Sequence, residues 1–96
     1  MEKTKIESAK LIEKEIIPSL SFKDTVPIEQ AKDLTNKLIE ATKLGNIHRC
    51  KVAIIFVDDE GLKRVETTIW ATGAKYICLK GGVWLPISKI KDVIIL

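Results

Sequence analysis

The chain is poor in the residues from which active sites and metal centres are built. Its 96 residues include one histidine, two cysteines and five aromatic side chains. Structural zinc sites want four ligands, usually in tight CxxC-type pairs. His48, Cys50 and Cys78 offer three at scattered positions, so no metal centre is expected. A Cys–His nucleophilic centre would need a third, orienting group and a pocket, and the sequence marks neither. Neither GxxxxGK[ST] nor GxGxxG occurs, so Gly81 and Gly82 read as a tight turn and not as a phosphate cradle. Asp58, Asp59 and Glu60 do not reproduce calcium-loop spacing, and read as the solvated tip of a hairpin. These absences point to a protein that is not an enzyme and carries no cofactor.

Long apolar runs are missing too. The longest, residues 52–57, falls far short of the roughly 20 residues that span a bilayer, so no membrane partner is expected. The opening MEKTKIESAK alternates charge and has no apolar core of the secretory type. With no export signal, Cys50 and Cys78 read as reduced thiols and the cytoplasm as the compartment. Cys50, at the start of an apolar strand, reads as a small buried hydrophobe, and Cys78 as the more accessible thiol.

What is present is pattern. The net charge of +3 belongs to the second half: residues 1–47 carry eight lysines and eight acids, whereas residues 48–96 carry eight Lys/Arg and five acids. A basic sheet suits nucleic acid or an acidic protein, and equally plain solubility.

Residues 4–17 are predicted helical. Thr4 and Glu7 have capping-box form, Ile6, Ala9, Ile12 and Ile16 keep helical spacing, and Pro18 stops the run. A second helix is predicted over 27–44, with Pro27 in its first turn and Ile28, Ala31, Leu34, Leu38 and Ala41 on one face. Lys43, Gly45 and Asn46 supply its C-terminal signal. The two helices should form an antiparallel hairpin.

Five strands are predicted after it, at 50–57, 62–72, 75–80, 83–87 and 91–96, with one helical turn at 88–90. The first is apolar on both faces and should be central or covered. Gly61, Gly73 and the pair Gly81, Gly82 mark the turns. The expected fold is therefore α+β and a single domain, 1–96. A helical hairpin (1–47) packs on a five-stranded antiparallel, strongly bent sheet or small SH3-like barrel (48–96).

The segments VETTIWAT (65–72), YICLKGG (76–82) and LPISKI (85–90), with LGN (44–46), resemble a family of small uncharacterised bacterial α+β proteins. The order of strands, turns and one-turn helix over 50–96 is similar in architecture to Sm-like and SH3-like small barrels. Sm-like proteins bind RNA and usually form rings, but their characteristic motifs are absent here. The resemblance implies a fold and a core, not an activity.

Alternation along the strands sorts side chains into two faces. Val65, Thr67, Ile69, Ala71, Ile77, Leu79, Val83, Leu85 and Ile87 form an aliphatic interior. Glu66, Thr68, Trp70, Thr72, Tyr76, Cys78, Lys80 and Trp84 lie on the other side. Trp70, Tyr76 and Trp84 thus gather on one face, which the two helices are expected to cover with their Ile/Leu stripes. An uncovered face would instead serve self-association or a ligand. In the ligand case Lys75, Lys80, Lys89 and Arg64 would hold phosphates while bases stack on the rings. The functional expectation is a non-enzymatic cytoplasmic module for protein–protein interaction or self-association through the sheet. The alternative is single-stranded nucleic-acid (RNA) binding through the aromatic and basic face.

Overall fold

Strand β2 (Val52–Asp58) is the axis of the molecule, because its residues are apolar on both faces. In a computed structural model, which describes residues 9–24 and 27–96, it is a central strand of four, in the order β1-β3-β2-β7. β1 is Lys10–Ile12, β3 Gly61–Thr67 and β7 Ile90–Ile95. Val52, Ile54 and Phe56 face the core and Ala53 and Ile55 face the opposite way, and all five are fully buried. The expectation that this strand be central or covered is met by its place between β3 and β7.

A second sheet of three strands, in the order β4-β5-β6, comprises β4 (Ile69–Thr72), β5 (Tyr76–Leu79) and β6 (Val83–Pro86). The single long strand expected over 62–72 is split: β3 ends at Thr67, and β4 starts two residues later in the other sheet. The expected five-stranded bent sheet or closed barrel is therefore two open sheets of four and three strands. Ile54, Phe56, Val65, Ile69, Ile77, Leu79, Leu85, Ile90 and Val93 form one apolar cluster between them. Gly81 and Gly82 turn the β5–β6 hairpin at φ of 89° and 84°, values that side-chain-bearing residues rarely adopt.

The helical hairpin is not formed, and among the described residues there is one α-helix. Residues 10–12, expected within the first helix, form β1, which runs parallel to β3 with Ile12 opposite Val65. Residues 14–19 form a 3-10 helix (Lys14–Ser19) that contains Pro18 instead of stopping before it, and Ile17 is buried in the core. Thr4, Ile6 and Glu7 lie outside the described residues. The physical reason is the free edge of β3: three ladder positions and a buried Ile17 outweigh the weak helical preference of a short segment.

Helix α1 (Leu34–His48) starts seven residues later and ends four later than expected. The segment before it is a strap along β7: Ala31 N–H donates to Lys91 O (2.8 Å), and Gln30 Nε2 to Ile87 O and Ile90 O. Asp33, at φ 61°, breaks the strap from the helix. Gly45 is not the left-handed cap; Arg49 is, at φ 55°, its N–H bonded to Gly45 O (3.0 Å). Gly45 instead lets α1 approach β4 closely, since a Cβ there would lie 2.7 Å from Ile69 O. The buried face, Leu34, Leu38, Ala41 and Gly45, continues the 3–4 spacing read in the sequence. It packs against β4 and β7, between the two sheets.

Candidate functional site

The outer face of the three-stranded sheet is built around β5. Its inward side chains, Ile77 and Leu79, pair across the strands with Leu85 and Val83 on β6 and with Thr72 and Ile69 on β4. Ile69, Ile77, Leu79 and Leu85 are fully buried. Alternation then turns Tyr76, Cys78 and Trp84 outward, with Cys78 opposite Trp84 and Tyr76 opposite Pro86.

On β4 the pairing shifts between Ile69 and Ala71. Trp70 is the extra residue of this bulge, and both it and Ala71 are exposed. The shift corrects the expected faces: Ala71 points out, opposite Cys78, and Thr72 turns inward toward α1. There its hydroxyl meets Thr42 Oγ1 at 2.7 Å. Asn46 of α1 holds the bulge by donating to Trp70 O (3.3 Å).

Trp70, Tyr76 and Trp84 are 47%, 50% and 60% exposed. The helices do not cover them, contrary to expectation, because the apolar stripe of α1 is spent on the core side of β4 and β7. From strand spacing, the Trp84 and Ala71 positions lie about 10 Å apart across β5, and Tyr76 lies about 7 Å along it from Cys78. The rings stand apart; the one ring–ring contact among the described residues is Phe22–Phe56, at 6.1 Å. Beside Tyr76 a shallow groove of about 480 Å³ runs past Lys75, Pro86, Ile87 and Ser88.

The four basic residues separate into two pairs. Lys75 and Lys80 are exposed and bracket β5, next to the rings. Lys89 is half-buried, and its Nζ donates to Asp24 O. Arg64 lies on β3 in the other sheet, paired with Glu66 through Nη2 at 3.0 Å. Neither joins the aromatic face. Nevertheless, residues 67–91, which include all of β4, β5 and β6, contain Lys75, Lys80, Lys89 and Lys91 and no acid.

The other candidates fall apart in space. His48 is exposed at the end of α1, and among the described residues no hydrogen bond joins it to Cys50 or Cys78. Both cysteines are unpaired and half-buried, so Cys50 is less enclosed than expected. Among the described residues no three His, Cys, Asp or Glu side chains converge as metal ligands. A groove of about 670 Å³ beside β1 mixes Lys10, Lys14 and Lys63 with Glu13, Glu60 and Glu66, so it favours neither sign of ligand.

The acidic hairpin tip is not simply solvated. Asp58 is 5% exposed, accepts the N–H groups of Glu60 and Gly61, and pairs with the buried Lys63 at 3.1 Å. One signal could have shown this: Lys63 shares the inward register of Val65 and Thr67. Asp59 accepts from Ser21 Oγ (2.5 Å) and Asp24 N–H (2.9 Å), and these bonds hold its carboxyl below the usual range. Lys14 does the same for Glu15.

Compared with protein-family models, curated proteins and solved structures, the chain matches none. No described helix is long and apolar enough to cross a membrane.

Proposed function

We propose that the chain is a non-enzymatic binding module that receives its partner on the outer face of the three-stranded sheet. One observation carries this reading: every tryptophan and tyrosine in the chain stands half-exposed on that face. Tryptophan and tyrosine supply large contact areas and dominate the energetics of recognition surfaces. Their clustering outside a core is unusual, because soluble chains keep large apolar side chains scattered. The unpaired cysteines accord with a reducing compartment such as the cytoplasm.

Protein association is one use of such a face. Symmetric self-association is opposed by charge, since a two-fold contact centred on β5 would bring Lys75 and Lys80 against their copies with no acid on β4, β5 or β6 to offset them. An anionic partner has no such cost.

The reading is tested by amide and indole NMR spectra of the full chain during dilution, and during titration with polyglutamate and with a single-stranded oligonucleotide. The expected shifts centre on the indole N–H groups of Trp70 and Trp84 and the amides of Tyr76 and Cys78. Shifts confined to the β1 groove or to the exposed surface of α1 would overturn it.

A further inference from the structure

We propose that the occupant of the aromatic face is an extended single strand of nucleic acid, bound with little preference for sequence; this rests on the docking reading above. The spacing of the rings argues for it. Bases in a duplex strand repeat at about 3.4 Å. By the strand pairing Trp84 lies one strand across and two residues along from Tyr76, about 8 Å, and the bulge that carries Trp70 lies about 10 Å from Trp84 across β5, so only an unstacked strand can place one base on each ring. Between the rings the outward side chains are small or weakly polar: Ala71, Cys78 and Pro86. They leave room for bases and offer no strong donor or acceptor to read base edges, so recognition rests on stacking and charge.

The charge is of the matching sign. Lys75 and Lys80 sit at the two ends of β5, and no carboxylate lies on any strand of this sheet. Phosphates passing along β5 meet two cations and no carboxylate on the strands of the sheet. An acidic peptide would satisfy the lysines, but would leave three planar rings without planar partners.

The test reads the site directly, because Trp70 and Trp84 are the only tryptophans. Their emission is followed while the full chain is titrated with a mixed-sequence single-stranded DNA, its RNA counterpart, the same DNA as a duplex, and polyglutamate. Saturable quenching by both single strands is expected, weaker by the duplex. With two phosphates neutralised, the log–log salt slope should be about −1.4, roughly a sevenfold loss between 50 and 200 mM salt. Trp84→Ala should weaken single-strand binding roughly 5- to 150-fold, one stacked base. Trp84→Phe should recover part of that loss, which a folding defect would not explain. Lys80→Glu should weaken binding and flatten the salt slope.

No saturable quenching by single strands at 50 mM salt would overturn the proposal, as would equal affinity for polyglutamate or unaltered binding by Trp84→Ala. If the proposal fails while NMR still maps self-contact or polyglutamate to the rings, the docking reading survives with another occupant.

Discussion

Gly45 gives a sharp test of how α1 is held. A methyl group added there would lie 2.7 Å from Ile69 O and 2.8 Å from Thr68 Cγ2. Ordinary contact begins near 3.4 Å, so α1 would have to withdraw by about 0.7 Å. The obstacle is the β4 backbone, which cannot rotate aside as a flexible side chain can. Overpacking of this kind costs about 1–3 kcal/mol. Withdrawal also stretches the Thr42–Thr72 hydroxyl bond of 2.7 Å, a bond worth about 1 kcal/mol. Against this, alanine is favoured over glycine within a helix by about 1 kcal/mol. Gly45→Ala should therefore destabilise the fold by roughly 1–3 kcal/mol, which for a chain of this size lowers Tm by about 4–24 °C. Urea and thermal unfolding followed by far-UV circular dichroism measure it. The exposed Asn36→Ala on the same helix is the control, and should be neutral or slightly stabilising. A Gly45→Ala protein as stable as its parent would refute the close approach of α1 to β4.

Three further outcomes are expected. Asp58→Ala should cost about 3–5 kcal/mol by stranding the buried Lys63, nearer the lower figure because Glu60 Oε1 remains 3.6 Å from Nζ. Lys63→Met should cost less, because Asp58 keeps two backbone N–H donors; urea midpoints rank the two. Asp59 has a folded pKa depressed below 3.8, so its contribution is complete above that value and lost as pH falls through it toward the folded pKa. Asp59→Asn should therefore flatten the pH dependence of the unfolding midpoint on the acid side of the ordinary aspartate range, and an unchanged profile would contradict the bonds from Ser21 and Asp24.

What could be read in the sequence was whatever depends on local chemistry. The double-sided apolar run of β2, the glycine turns of its hairpin and of β5–β6, the inward set Ile77, Leu79 and Leu85, and the 3–4 spacing of α1 all follow from one stretch of chain. The outward set of Tyr76 and Trp84 follows from alternation alone, whereas Trp70 joins them at a bulge. The errors lie where distant segments compete. Ile6, Ala9, Ile12 and Ile16 fit a helical stripe, yet Lys10–Ile12 pairs with β3, about fifty residues away. Gly45 carries the same letter whether it caps a helix or admits a neighbouring strand, and only the position of Ile69 decides between them. The bulge at Trp70 inverts the faces of Ala71 and Thr72, and no residue type announces it. The exposure of the rings depends on where α1 spends its apolar stripe, a property of packing and not of pattern.

The central claim is that the aromatic face is open and used, and acrylamide quenching of tryptophan emission tests it most directly. The protein is measured at high dilution, alone and with saturating single-stranded oligonucleotide. The account predicts red-shifted, readily quenched emission from the free chain and protection when the strand is bound. Blue-shifted emission shielded from acrylamide at every dilution would place Trp70 and Trp84 in a core and contradict it.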